Sequence, residues 1–377
     1  MKIGILTLPL HFNYGGILQA YALQTVLERM GHEVTLIERE QKPYKLALWK
    51  KPLSYSKRLL KNLSGHKTTI LLEKKLNNEV FHNLPIIQQH TDKFISKYIK
   101  RKFYNDFYEI KENDYDAFIV GSDQIWRPLY YPKIEDAFLN FTENWDILRI
   151  AYAASFGTDR WEYTEHQTKR CGRLLHKFSL VSVRELSGIK LCNVHWGLSP
   201  ELVLDPTLLL DIKDYINLFK NTNTPKSHDG LLCYILDETK EKNELIKQIA
   251  DEKHLNVFRV NSYAEDRNAD LRDRIQPHVE SWLRGFYDAK FVITDSFHAC
   301  VFSIIFKKPF IAYGNCDRGL TRFSSLLTLF GLRDRLITKI EQYKSLKDID
   351  YECVYNILNE KRGDSIKILS SAISHKR

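Results

Sequence analysis

Short apolar runs typical of buried strands alternate along the chain with segments whose apolar residues recur every three or four positions. The first run, KIGILTL, precedes residues 16–30, and a second run, HEVTLIE, follows a glycine that ends the predicted helix. One face of this helix carries Ala20, Leu23, Leu27 and Met30. A strand–helix–strand unit of this kind predicts two parallel strands joined by a right-handed crossover.

The same alternation continues through both halves of the chain. In the first half, further strands are predicted at DAFIVGSDQIW, LRIAYAASFG, FSLVSVRE and PELVLDPTLLL. In the second half, strands at GLLCYIL, LNVFRV, KFVITD and PFIAYG alternate with helices near 239–252 and 278–288 and with a very apolar helix from 296. The pattern predicts an α/β protein with parallel sheets.

Length and composition predict two domains. A chain of 377 residues exceeds what one hydrophobic core usually serves. We expect an N-terminal α/β domain at 1–210 with a basic helical insertion near 42–110, a polar linker at 211–228, a C-terminal α/β domain at 229–345, and helices at 346–377 that can return to the first domain. Two Rossmann-like domains facing a cleft form a glycosyltransferase-B-like architecture.

The net charge of +9 favours an anionic partner. Much of the excess lies between Lys42 and Lys75, where apolar residues alternate with many basic ones and Glu73 is the single acid. This segment is either a solvated helical insertion or a surface for anionic membrane or a lipid-linked substrate. Nucleic acid is not expected, because no nucleic-acid-binding signature accompanies the charge.

Other features of the sequence indicate a cytoplasmic protein, with peripheral contact at the inner membrane face left open. The first residues resemble a strand and lack a signal-peptide cleavage site. No apolar run reaches the length of a membrane span. The six cysteines form no Cys-x-x-Cys pair, so neither a zinc site nor a disulfide framework is expected.

Polar and small residues follow the predicted strands, where ligands of parallel α/β domains bind. These residues could bind a substrate, or they could have structural roles. The structural roles are tight turns that need glycine, a loop in which Asp123 caps a helix, and an ion pair of Arg184. The substrate-binding candidates in the first half are Asn13, Gly15, Gly16, Ser122, Asp123, Gln124, Trp126, Ser155 and Arg184.

The Asp-Tyr-Asp sequence at 114–116 matches a motif of metal-dependent glycosyltransferases. It precedes its strand, so it falls at the wrong end of the sheet for a ligand. Since no other cluster has suitable spacing, no metal site is expected.

His298 stands where a buried strand stops and an apolar helix starts. With Asp295 or Ser296 as the N-cap, it falls in the first helical turn, beside backbone N–H groups that can bind an anion. The alternative is a histidine that is hydrogen-bonded within the core.

Together these segments resemble the polysaccharide pyruvyl transferases. The resemblance rests on NYGGILQAYALQ, GSDQIWRP, AASFG, SVRE followed by VLDPTLLL, and TDSFHACVFSIIFKKPFIAYG, in that order, and extends over about residues 1–335. It implies an essential histidine at His298 and an arginine at Arg184 that contacts phosphoenolpyruvate. Many members have Arg-Leu-His where this chain has Ser296-Phe297-His298. Arg318, Arg322 or Arg127 could supply the arginine that is missing.

The implied reaction transfers the pyruvyl unit of phosphoenolpyruvate, as a ketal, onto two hydroxyls of a sugar in surface polysaccharide biosynthesis. It needs no cofactor, and its acceptor is a sugar or a lipid-linked oligosaccharide. Histidine is suited to act as the general acid, and arginine is suited to bind the carboxylate and phosphate of the donor. His298 and Asp295 are the predicted catalytic residues. We expect His298 to be protonated mainly when the donor is bound, with Asp295 favouring the charged form. Two alternative functions are a nucleotide-sugar-dependent glycosyltransferase of the same architecture and a sugar-binding relative that has lost catalytic activity.

Overall fold

A computed structural model describes residues 1–45, 47, 49, 51–64, 71–314 and 320–374. Within this part of the chain, the N-terminal half forms a parallel seven-stranded sheet in the order β3-β2-β1-β4-β5-β6-β7. Its strands are β1 (Lys2–Leu6), β2 (Glu33–Arg39), β3 (Arg101–Tyr104), β4 (Ala117–Val120), β5 (Leu148–Ala154), β6 (Leu180–Val183) and β7 (Glu201–Leu202).

The C-terminal half forms a second parallel sheet, whose five described strands run in the order β12-β11-β10-β8-β9. These strands are β8 (Leu231–Tyr234), β9 (Val257–Phe258), β10 (Phe291–Thr294), β11 (Phe310–Tyr313) and β12 (Leu336–Ile337). Two parallel sheets, each with helices between its strands, confirm the predicted α/β class.

Helices connect the strands of both sheets. Those of the first half are α1 (Tyr14–Arg29), α2 (Lys51–Leu63), α3 (Leu72–Asn78), α4 (Leu84–Ile87), α5 (Gln89–Tyr98), α6 (Glu165–Leu175) and α7 (Leu186–Trp196). Those of the second half are α8 (Ile212–Asn221), α9 (Lys240–Lys253), α10 (Val279–Asp288), α11 (Phe297–Ile305), α12 (Thr321–Leu329) and α13 (Tyr351–Ser374).

The two halves pack directly on each other through aromatic side chains. Tyr14, in the first turn of α1, stacks on Trp282 of α10 with ring centroids 5.2 Å apart, and its hydroxyl donates to the Pro277 carbonyl at 2.8 Å. Both rings are buried. This contact fixes the start of α1 against the second domain, so the loops at the carboxyl ends of the two sheets face one another.

The segment predicted as a linker at 211–228 contains a helix. Asp211 caps α8 by accepting from the Lys213 N–H, and the helix buries Tyr215, Leu218 and Phe219. The polar composition of the segment comes from the outer face of α8 and from the irregular residues that follow it. The helix therefore belongs to the packed interior of the molecule.

The basic insertion ends earlier than the predicted residue 110. Residues 101–104 form β3, which pairs in parallel with β2 at the edge of the first sheet. Its sequence, RKFY, is short and half-exposed, so it lacks the apolar signal of a buried strand. The helices α2 to α5 thus lie between β2 and β3.

The C-terminal helix α13 contacts both halves. At its start, the Tyr355 hydroxyl donates to the Ile305 carbonyl at the end of α11. Further along, Arg362 donates to the carbonyl of Leu208 at 2.7 Å, and Ser365 Oγ accepts from the Leu204 N–H at 3.0 Å. The chain therefore returns to the first sheet after completing the second.

Candidate functional site

A cavity of about 550 Å³ lies between the two domains. The first domain supplies residues from the loops after β1 and β4, and the second domain supplies residues from the loops after β8, β9 and β10. The predicted site residues that line it are Asn13, Gly15, Asp123, Gln124, Asp295, Ser296, His298 and Arg322. The carboxyl ends of the strands in both sheets therefore meet at one site.

His298 lies in the first turn of α11, whose N-cap is Ser296. The Ser296 side chain makes no capping hydrogen bond, so it does not occupy the free N–H groups of that turn. The imidazole is buried, and its Nε2 makes no hydrogen bond to any described residue. A buried nitrogen without a hydrogen bond argues against a histidine that is simply satisfied within the core.

Gly15 packs against the other edge of the same ring. A Cβ atom on Gly15 would fall 2.0 Å from His298 Nδ1 and 2.3 Å from Cγ. Only glycine leaves room for the imidazole at this position. The glycine that the sequence predicted for a tight turn thus also determines how closely α1 and α11 approach each other.

Arg184 is enclosed by carboxylates. Its side chain is only 1% exposed, and its guanidinium donates to Asp123 Oδ1 at 2.9 Å and to Asp205 Oδ2. Two buried aspartates therefore already compensate the charge of Arg184, which was predicted to contact the anionic donor. Its role in this structure is to hold the two aspartates in place.

Asp205 links Arg184 to His298. Its Oδ2, which Arg184 contacts, lies 3.7 Å from His298 Nε2, and its Oδ1 accepts from the Thr207 hydroxyl at 2.6 Å. Burial alone would raise the pKa of Asp205, but the charge of Arg184, with His298 and Thr207, lowers it below the usual range. The Asp205 carboxylate therefore stays ionised beside the imidazole.

Sequence reasoning missed Asp205. It directly follows the apolar run ELVL and precedes a proline, which is the signal of a strand-end loop. The same criterion that selected Asp123 would have selected it.

Among the described residues that line the cavity, Arg322 is the one arginine, and no described carboxylate pairs with it. Within the described part of the chain, no carboxylate lies within 4.0 Å of its guanidinium, and its Nε is buried without a hydrogen-bond partner. Burial, followed by the nearby charge of Arg184, lowers the pKa of Arg322 to about 10. Arg184 and Arg322 lie over the Phe297 ring, 4.7 and 5.7 Å from its centroid. A bound anion would offset the cost of this buried charge.

The contacts of Asp295 are structural, whereas a catalytic role was predicted for it. Its carboxylate accepts from the N–H groups of Leu236 and Asp237 at 2.7 and 3.0 Å, and it pairs with Lys242 at 2.7 Å. These donors occupy both oxygens, so Asp295 joins the loops after β8 and β10. Asp205 is the carboxylate that faces His298 Nε2.

Four predicted binding residues lie behind the cavity. Trp126 is fully buried in an aromatic cluster and donates to the Ala137 carbonyl, so it cannot contact a substrate. Ser155 Oγ accepts from Gly157 N–H, and Ser122 Oγ lies 3.2 Å from Asp205 Oδ2. Gly16 donates to the Asn13 side chain that caps α1. These residues position the loops and do not line the cavity.

Two further arginine predictions have different outcomes. Arg127 pairs with Glu162 at 2.9 Å, so its charge is already compensated. Arg318 lies outside the described residues.

The other end of the cavity carries amides, carboxylates and aromatic rings. Asn261 lines it with a buried Oδ1 that has no hydrogen-bond partner, while its Nδ2 donates to the Ile235 carbonyl at 3.3 Å. Glu238, Tyr263 and Gln276 line the same end. Such groups are suited to hydroxyl-rich ligands, because they offer acceptors and flat apolar faces together.

No cluster of histidine, cysteine or acidic side chains among the described residues could hold a metal ion. Asp116, from the Asp-Tyr-Asp sequence, accepts from the Lys2 N–H at the start of β1. This is the end of the sheet opposite to the cavity.

Comparisons with known proteins agree with this architecture. A family model described as polysaccharide pyruvyl transferase matches residues 13–317. No curated protein matches the chain. The UDP-GlcNAc 2-epimerase of Neisseria meningitidis, solved with UDP-GlcNAc, is similar in structure, with a TM-score of 0.51 and 10% identity over 99% of both chains. The Arabidopsis thaliana protein UGT89C1, solved with UDP-L-rhamnose, is also similar, with a TM-score of 0.50 and 8% identity over 97% of both chains. At these identities the likeness shows the fold alone, which is glycosyltransferase-B-like.

Proposed function

Because the chain belongs to the polysaccharide pyruvyl transferase family, we propose that it transfers the pyruvyl unit of phosphoenolpyruvate, as a cyclic ketal, onto two hydroxyls of a sugar. Family membership makes the protein a transferase. The proposed acceptor is a sugar or lipid-linked oligosaccharide of surface polysaccharide biosynthesis. The proposed setting is the cytoplasm, where phosphoenolpyruvate is produced.

The observation that carries this proposal is the placement of His298. His298 lines the cavity in the first turn of α11, and its Nε2 lies 3.7 Å from Asp205 Oδ2. Arg322, with which no described carboxylate pairs, lines the same cavity. A proton donor and two separate sources of positive potential thus meet at one point. Phosphoenolpyruvate carries a phosphate and a carboxylate on a carbon skeleton that must be protonated, so its chemistry fits this combination.

The reaction can be written with these groups in place. The imidazolium of His298 donates a proton to the methylene carbon of phosphoenolpyruvate, and an oxocarbenium-like centre forms at the adjacent carbon. A sugar hydroxyl adds there and loses its proton. Phosphate then leaves with the electron pair of the C–O bond, and the second hydroxyl adds in its place. The proton of the first hydroxyl restores the imidazolium of His298, and the proton of the second ends on the departing phosphate, so the products are the ketal and hydrogen phosphate.

Asp205 and Arg322 would act on different steps of this reaction. Asp205, held by Arg184, would keep a negative charge 3.7 Å from Nε2 of the proton donor. Arg322 would pair with the phosphate or carboxylate of the donor, because a guanidinium matches either group with two parallel hydrogen bonds. The Asn261 end of the cavity would then receive the acceptor hydroxyls.

A donor panel tests the proposal. Purified protein is incubated with sugar acceptors and either phosphoenolpyruvate, a UDP-sugar or a GDP-sugar, and the release of phosphate or nucleotide is followed together with the mass of the acceptor. Phosphate release with a gain of a ketal-linked pyruvyl group is expected. Transfer of a glycosyl unit would replace the proposal with a glycosyltransferase, and binding of sugar without any transfer would indicate a decayed relative.

A further inference from the structure

Helix α2 of the basic insertion turns its polar side toward the protein. Tyr55 donates to Glu73 at 2.7 Å, and Lys51 pairs with the same carboxylate at 3.4 Å. Arg58, about one helical turn beyond Tyr55, is also half-buried. Polar residues therefore hold α2 against α3, where a surface helix of a globular protein normally places its apolar residues.

Three leucines of α2 point outward instead. Leu53 is 72% exposed and Leu60 is 65% exposed, and their spacing of seven residues places them on one face. Leu59 beside them is also exposed, and so is Trp49 just before the helix. Four large apolar side chains in water over so short a segment indicate a surface that another body covers.

The charge around these residues indicates what that body is. Lys57 is exposed and lies four residues after Leu53, on the same face, and exposed Lys61 flanks it. From Lys42 to Lys75 the sequence has ten basic residues against the single acid Glu73. An outward apolar face bordered by lysines is complementary to an anionic lipid bilayer, in which leucines enter the acyl boundary and lysines meet the headgroups.

We propose that the outward face of α2, formed by Leu53, Leu59, Leu60 and Lys57 with Trp49 beside it, docks on an anionic membrane surface. A second copy of the chain is a poorer occupant, because a symmetric dimer through this face would bring two strongly basic segments together. No described helix has the length and apolarity needed to cross a bilayer, so the proposed contact is peripheral.

The insertion also contacts a loop that lines the cavity. Arg274 pairs with Glu79, and the Gln276 N–H donates to the Ile87 carbonyl at 2.9 Å. Gln276 lines the cavity and donates through its side chain to the Phe12 carbonyl at 3.1 Å. The insertion and the cavity are therefore joined by direct contacts. If the proposed function holds, docking through α2 would bring the cavity close to the bilayer, where a lipid-linked acceptor resides.

Vesicle binding tests this surface without any substrate, so its outcome is independent of the donor assignment. The whole protein is sedimented with vesicles of equal parts phosphatidylglycerol and phosphatidylcholine, and with vesicles of phosphatidylcholine alone. We expect binding to the anionic vesicles that weakens at high salt. The Leu53→Gln/Leu60→Gln variant should bind at least about tenfold more weakly. Lys57→Gln/Lys61→Gln should also weaken binding, by about fivefold for each charge removed.

Val194→Gln is the matched control, because Val194 is 65% exposed on α7, outside the insertion. It should bind vesicles as the parent does, and all variants should keep the parent Tm. Absence of parent binding to anionic vesicles, or equal binding by the Leu53/Leu60 variant, would overturn the proposal. A parent dimer that the leucine changes dissociate, without vesicle binding, would assign this face to self-association.

Discussion

Gly15 and the imidazole of His298 occupy adjoining space, so that a single methyl group on Gly15 would fall 2.0 Å from Nδ1. Gly15 belongs to the first domain and His298 to the second. The contact sets the position of the proposed general acid relative to the loops of both domains.

Gly15→Ala should therefore lower turnover strongly while the protein remains folded. The added methyl must displace the ring, and a displacement of about 1 Å at a reacting group can cost 10²-fold in rate. Phosphate release from phosphoenolpyruvate measures the loss, and circular dichroism checks the fold. Gly363→Ala is the matched control, because nothing lies within 4 Å of a Cβ at that position on α13. Parent-like turnover by Gly15→Ala would show that the ring is not held by this contact.

Arg322→Gln should raise the KM for phosphoenolpyruvate about tenfold to hundredfold, since hydrogen bonds to charged groups are worth about 1.5–3 kcal/mol. Arg322→Lys should recover only part of the loss, because an ammonium cannot reproduce the planar fork. The exposed Arg333, which follows α12, provides the control Arg333→Gln. An unchanged KM in Arg322→Gln would remove Arg322 from the donor site.

Asp205→Asn should destabilise the protein by about 3 kcal/mol or more, because it leaves the buried charge of Arg184 partly uncompensated. It should also lower turnover by removing the negative charge beside His298. Urea unfolding and phosphate release measure the two effects. Glu165→Gln removes one partner of a salt bridge whose side chains are 74% and 83% exposed, so its stability should change by less than about 1 kcal/mol. Equal stabilities of the two variants would contradict the role assigned to Asp205.

The lowered pKa of His90, whose ring packs against that of His278, should make stability depend on pH. Their rings lie 4.1 Å apart between α5 and the start of α10, and burial, then His278 and Lys93, lower the pKa of His90. The unfolded chain then binds more protons below about pH 6.5, so stability is fully present above that value and falls as the pH drops toward the folded pKa. His90→Gln should reduce the slope measured by urea unfolding between about pH 5 and 6.5. His11, whose pKa burial also lowers, should leave a residual slope. An unreduced slope would show that His90 does not contribute.

The periodicity of the sequence was sufficient to predict most of the fold. Runs such as LLCY and FVIT are almost entirely apolar, and they form strands buried at every position. The short strand RKFY was missed because it is a half-exposed edge strand with two charged residues. Helix α8 was missed because its polar outer face dominates the composition of 211–228.

Candidate residues were harder to assign than elements. Asn13, Asp123 and His298 were selected because they follow predicted strands, and all three line one cavity. This criterion could not distinguish Arg184, which two carboxylates neutralise, from Arg322, which the described carboxylates leave unpaired. That difference depends on side-chain contacts between residues far apart in the chain, such as Arg184 with Asp123. For the same reason the sequence placed Asp295 beside His298 and missed Asp205, whose Oδ2 lies 3.7 Å from His298 Nε2.

The most direct test of the account is phosphate release from phosphoenolpyruvate, in the presence of a sugar acceptor, by the parent and by His298→Gln and His298→Phe. Gln keeps much of the size and polarity of the ring but cannot act as an acid, so donor binding should persist while turnover falls by about 10²-fold or more. Phe fills the space with an apolar ring, and it should be equally inactive. If both variants turn over phosphoenolpyruvate as the parent does, His298 is structural and the proposed mechanism is contradicted.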